Sequence, residues 1–188
     1  MYIIAGPNDV GKTTLSYTIL PEIFECDEFV NADEIAKGLS PFKPGKASIK
    51  AGRLMLERIN ELIANGDSFA FETTLATKSY VKLVEKAQNA EYEVVLLFLT
   101  LDSVDLAKER VSIRVKEGGH NIPIETIERR YRNGLKNLFN LYLYKVDKWI
   151  LVENSKEEFE YIAEGARGEV IIRSKTKWSN LKNEYNGN

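Results

Sequence analysis

The chain has 188 residues, a formal net charge of −2 and a pI near 5.7, which argues against a nucleic-acid partner because phosphate contacts leave a basic footprint. About 70% of the unfolded surface can be buried at this length, and Cys26, the single cysteine, excludes an internal disulfide framework and fits a reducing, cytoplasmic setting. Strand-type residues from Tyr2 onward leave no room for a signal peptide, and the longest apolar run, Val94 to Leu99, is far short of the ~18 residues of a membrane span.

The first element is the apolar run Tyr2-Ile3-Ile4-Ala5, read as a strand. It leads into Gly6-Pro7-Asn8-Asp9-Val10-Gly11-Lys12-Thr13, a complete G-x-x-x-x-G-K-[ST] phosphate loop, followed by Thr14 and a helix over 12–20. This strand, loop and helix order implies a bound nucleoside triphosphate. The glycines let successive N–H groups turn inward into an anion nest, and the positive end of the helix points at the same spot. Residues 6 to 14 are therefore the nucleotide-binding set. Within it Lys12 can reach the β- and γ-phosphates, and Thr13 can offer its hydroxyl to Mg²⁺.

Further strands are predicted at 28–32, 68–72, 92–100, 147–153 and 168–173, with helices at 34–39, 46–65, 77–90, 103–117 and 124–146. The helix at 46–65 closes on Asn65-Gly66, a C-cap signal. Such alternation predicts an α/β fold of the P-loop NTPase type, a mostly parallel sheet with helices on both faces. Residues 1–174 make one domain with a lid around 114–130. The polar tail, 175–188, reads as partly loose.

Ligands of open α/β sheets lie at the carboxyl ends of the strands, so the residues leaving each strand are candidates for chemistry. These are Asp33, Glu72 with Thr73 and Thr74, and Asp102. Asp102 has the form of a metal-side carboxylate, but with Asp105 three residues on, capping of the helix at 103–117 is the commoner use. Asp33 can cap the short helix after it or accept the proton of an acceptor hydroxyl, and its place after a strand beside the first favours the second role. For Glu72 the choice lies between a surface ion pair and a substrate-hydroxyl contact. Its position directly after Phe69-Ala70-Phe71 and before two threonines favours the contact, with Thr73 beside it.

A second constellation is cationic. Arg110 and Arg114 lie four apart on one helix and flank the stripe Val104, Ala107, Val111 and Val115. The break Lys116-Glu117-Gly118-Gly119-His120-Asn121-Ile122-Pro123 has the form of a lid, made mobile by two glycines and ended by Pro123 at the next helix. On that helix Ile127, Tyr131, Leu135, Leu138 and Tyr142 form the core stripe, which puts Arg130 on its flank and Arg129 nearly opposite. Arg114 and Arg130 are thus candidates to neutralise a γ-phosphate, and Arg110 to contact substrate. The alternative is solvated pairing with Glu109, Glu117, Glu125 and Glu128. His120, the sole histidine, cannot build a histidine metal cluster and reads as lid contact or plain loop.

Taken together, the phosphate loop, Val30-Asn31-Ala32-Asp33, Phe71-Glu72-Thr73-Thr74 and the region from Arg110 to Arg130 resemble the zeta toxin family of P-loop kinases, a fold also similar to chloramphenicol phosphotransferase and shikimate kinase. The resemblance implies an ATP- and Mg²⁺-dependent kinase acting on a small-molecule hydroxyl, UDP-N-acetylglucosamine or another nucleotide or sugar metabolite, and silenced by an antitoxin protein. It implies Asp33 as general base, Glu72 at the substrate sugar, and Arg114 with Arg130 on the γ-phosphate. Two departures stand out: the first strand begins at Tyr2, without the leading helix that typical members present near the antitoxin, and the lid carries Gly118-Gly119-His120, as in a shorter branch. A nucleotide-dependent binding switch would need no acceptor carboxylates. A nucleic-acid 5′-kinase would need a basic and aromatic stripe.

Overall fold

The computed structural model describes residues 1–166 and 168–187. Strands β1 (Tyr2–Ala5), β2 (Glu28–Val30), β3 (Phe69–Thr73), β4 (Val95–Thr100), β5 (Lys148–Glu153), β6 (Glu160–Ala166) and β7 (Glu169–Ile172) form one sheet in the order β2-β3-β1-β4-β5-β6-β7. The first five are parallel, while β6 and β7 add on antiparallel. Helices α1 (Lys12–Glu22), α2 (Ala32–Leu39), α3 (Pro44–Asn65), α4 (Val81–Asn89), α5 (Val104–Lys116), α6 (Ile124–Asn140) and α7 (Lys175–Tyr185) complete the chain.

Consecutive strand residues point to opposite faces, so a run of buried neighbours shows that both faces are covered. Ile3, Ile4 and Ala5 in β1, Phe69 to Phe71 in β3 and Leu96 to Leu99 in β4 are all buried. The mostly parallel sheet with helices on both faces is therefore as expected. Because β1 lies between β3 and β4, the phosphate loop after β1 is flanked by the ends of both. Gly66 closes α3 in the left-handed conformation, with φ 77°.

Three parts differ from expectation. Strand β6 was not predicted, since only Ile162 and Ala163 of its seven residues are buried and no apolar run marks it. Its Gly165 lies opposite Trp149 of β5, and a Cβ there would meet the indole at 2.5 Å. The helix predicted to run to 146 stops at Asn140, followed by a 3₁₀ turn over Tyr142–Tyr144. The segment expected to be a loose tail forms α7. One buried side chain docks it, Trp178, stacked on Trp149 with centroids 5.6 Å apart and tilted against Phe139 at 5.4 Å. Leu181 and Tyr185, half-buried against the core three and seven residues after Trp178, complete a helical stripe that was not predicted.

Candidate active site

The phosphate loop is shaped by positions that exclude side chains. Gly6 has φ 145° and lies so close to the Leu99 carbonyl that any Cβ would overlap it, while Gly11 has φ 91°. Two hydrogen bonds tie the loop to its surroundings: the Gly6 N–H donates to the Thr73 carbonyl of β3 at 3.2 Å, and the amide of Asn154, just after β5, donates to the Val10 carbonyl at 2.8 Å. Lys12 is buried, donating to the Pro7 carbonyl at 2.8 Å and lying 3.6 Å from Glu72 Oε1.

Glu72 organises the base of the loop. Its Oε2 accepts from the Thr13 hydroxyl at 2.6 Å and from the Asn31 amide at 2.8 Å. The register explains this placement, because β3 pairs Glu72 with Ile4 and Thr73 with Ala5, just before the loop begins. Glu72 thus sits against the phosphate loop and is only 11% exposed. Thr73 is also turned to local use: its hydroxyl accepts from the Leu75 N–H at 3.1 Å, steadying a turn in which Leu75 has φ 56°. Arg110 donates to the Ser155 carbonyl at 3.3 Å, on the side of the loop after β5.

A cavity of about 630 Å³ opens beside the phosphate loop, lined by Thr13, Asp33, Arg114 and Arg130, by residues 117–123 and by Pro44, Gly45 and Ser48 of α3. Asp33 is at the start of α2, but Asn31 is the cap, accepting from the Asp33 and Glu34 N–H groups at 2.8 and 3.3 Å. The Asp33 carboxylate is thereby spared for the cavity it lines. In α5 the cap is Ser103, which accepts from the Leu106 N–H, so the capping expected of Asp102 falls one residue on and Asp102 is exposed.

The arginines follow the helical phase. On α6 Arg130 is half-buried, whereas Arg129 is exposed. Arg130 Nη1 donates to Asn8 Oδ1 at 3.4 Å, and burial lowers its pKa from the usual value against the attraction of Asp33. Arg114 pairs through Nη1 with Asp9 Oδ1 at 2.6 Å and donates through Nη2 to the His120 carbonyl at 3.0 Å. The His120 ring packs against Gly45, where a Cβ would meet it at 2.8 Å, so the segment after α5 reaches across to the start of α3. Asn31 and Asn154 were given no role from sequence. Asn31 carried a usable signal, an N-cap residue directly before Ala32-Asp33-Glu34. Asn154 carried none, since its partner lies 144 residues away.

With this geometry in view, the zeta toxin family profile matches residues 1–165. The chain belongs to the zeta toxin family. An uncharacterized protein of Haemophilus influenzae is 30% identical over 129 residues, which are 67% of this chain and 88% of that protein. Among solved structures of similar fold, AvrRxo1-ORF1 in complex with AvrRxo1-ORF2 and sulphate ions gives a TM-score of 0.76 at 14% identity, covering 96% of this chain. The match spans 62% of the AvrRxo1 chain's own length. The PezAT chromosomal toxin-antitoxin system of Streptococcus pneumoniae gives 0.71 at 16% identity, covering 100% of this chain and 79% of that one. Among the described residues, this zeta toxin family member has no helix long and apolar enough to cross a membrane.

Proposed function

We propose that the chain is an ATP-dependent kinase that transfers the γ-phosphoryl group to a hydroxyl of a small molecule. The observation that carries this reading is the cavity that Thr13 of the phosphate loop, Asp33, Arg114 and Arg130 line together. Membership of the zeta toxin family supports it, as does the similar fold of AvrRxo1-ORF1 with its ORF2 partner, solved with ATP at a TM-score of 0.74.

In this reading the N–H groups of the loop hold the triphosphate, and Lys12 leaves the Pro7 carbonyl for the β- and γ-phosphates. Asp33 accepts the proton of the acceptor hydroxyl. That oxygen bonds to the γ-phosphorus as the bond to the β,γ-bridging oxygen breaks, leaving ADP and a phosphate ester. Arg114 and Arg130 neutralise the charge spread over the transferred group. The Thr13 hydroxyl and the Glu72 carboxylate are hard oxygen donors suited to Mg²⁺, and they would hold it at the base of the loop. When bound, the ion neutralises phosphate charge.

The acceptor fits the class of nucleotide or sugar metabolites, with UDP-N-acetylglucosamine the first to try, and the partner is an antitoxin protein. Buried Cys26, the lone cysteine, fits a cytoplasmic setting. Incubation with ATP, Mg²⁺ and a metabolite extract, followed by mass spectrometry, should reveal a new phosphorylated species that Lys12→Ala protein does not make. ATP binding without any such species would point to a nucleotide-dependent switch instead.

A further inference from the structure

Asp9 is an unusual occupant of a phosphate loop. It is a non-glycine residue at φ 57°, in the left-handed region, and it brings a negative charge to a nest built for anions. Its side chain is only 13% exposed, yet Oδ2 is buried and makes no hydrogen bond among the described residues. The partner of its other oxygen is Arg114, whose Nε is likewise buried and unpaired among the described residues. Arg114 thus spends two donors, one on Asp9 and one on the His120 carbonyl, while an arginine has five to give. The preceding loop position does the same for the other lid arginine, Asn8 Oδ1 accepting from Arg130 at 3.4 Å.

We propose that Asp9 is a positioning residue: its carboxylate holds the Arg114 guanidinium against the phosphate loop, so that the unspent donors meet the γ-phosphate as soon as the nucleotide enters. The ion pair fixes a long side chain before binding, and so removes the ordering cost that a free arginine would meet during it. The proposal rests on the kinase reading for its purpose but makes a binding prediction of its own. If Asp9 merely repelled phosphate, removing its charge would strengthen the hold on the γ-phosphate. As a positioning residue, its removal weakens that hold, and it does so only through Arg114.

The test measures the grip on the γ-phosphate as the ratio of Kd for MgADP to Kd for the Mg²⁺ complex of β,γ-imido ATP, by calorimetry on the whole chain. Asp9→Asn, which keeps a residue tolerant of positive φ, should lower the ratio by about tenfold, the scale of one charge-assisted hydrogen bond. Arg114→Ala should lower it at least as far, and the double variant no further than Arg114→Ala alone. Asp9→Gly, which relaxes the backbone, should repeat the loss and guards against a folding defect in the first variant. An unchanged or increased ratio in Asp9→Asn, a loss that adds to that of Arg114→Ala, or a ratio indifferent to Arg114 overturns the proposal. Should the expected pattern hold while no acceptor is phosphorylated, the kinase reading fails and the positioning role stands.

Discussion

At the scale of single residues, the site gathers charges that hold one another. Lys12 lies on the Pro7 carbonyl and beside Glu72, and Arg114 lies on Asp9. Lys12→Ala should therefore cost at least ~100-fold in turnover, since the β- and γ-phosphates lose their fixed counter-charge; a coupled ADP-release assay measures it. Asp33→Asn should lower turnover at least ~100-fold while calorimetry finds ATP affinity intact, the pattern of a lost general base. A collapse of ATP binding would instead move Asp33 to the metal or the fold. Burial pushes the Asp9 carboxyl above its ordinary value, opposed by Arg114 and Lys12, reinforced by Asp33 and opposed again by Arg110. The folded state then binds this proton more tightly than the unfolded chain, so the stability it contributes is present at low pH and lost as pH rises through the folded-state value. Asp9→Asn cannot ionise. Its melting temperature should exceed the wild type's at pH 7, with the gap closing toward about pH 4.

At the scale of elements, α5, the glycine break and α6 line the same cavity. The phase of α6 buries Ile127, Tyr131, Leu135 and Leu138, which carries Arg130 to the cavity and leaves Arg129 in solvent. Arg130→Ala should lower turnover by roughly 100-fold, as for loss of a donor to transition-state charge, while Arg129→Ala leaves it nearly unchanged. Equal kinetics for the two variants would remove the claim that residues 118–123 close over the nucleotide. The same helix packs at close range where Gly134 faces the loop after β3. A Cβ there would stand 2.6 Å from the Thr74 carbonyl, a backbone atom that cannot swing aside. Gly134→Ala should destabilise the protein by about 2 kcal/mol in urea unfolding, the usual scale of overpacking.

At the scale of the whole molecule, five parallel strands carry the site, and β6, β7 and α7 brace their β5 edge. The brace closes through the stacked pair Trp149 and Trp178. Trp178→Ala should cost about 3 kcal/mol, which for a chain of this size lowers the melting temperature by roughly 6 to 12 °C in calorimetry. ATP affinity should be kept, because Trp178 packs on Trp149, level with Leu96 and Ile3 near the start of the parallel strands, whereas the phosphate loop follows their carboxyl ends.

The local pattern sufficed wherever chemistry is written in consecutive residues. The phosphate loop is such a stretch, since the glycines at 6 and 11 and the Lys12-Thr13 pair mark the nest and the helix start in consecutive residues. Amphipathic phase is local too, and it separates half-buried Arg130 from exposed Arg129. What the sequence did not disclose are pairings between residues far apart. Glu72 meets Thr13 across 59 positions because β1 and β3 share a register, and Asn154 reaches Val10 across 144. Strand β6 has little apolar patterning of its own, and where it and α7 dock was not legible, because Trp149 supplies the surface for both Gly165 and Trp178. Register and side-chain stacking are properties of two segments at once, so only the folded chain decided them.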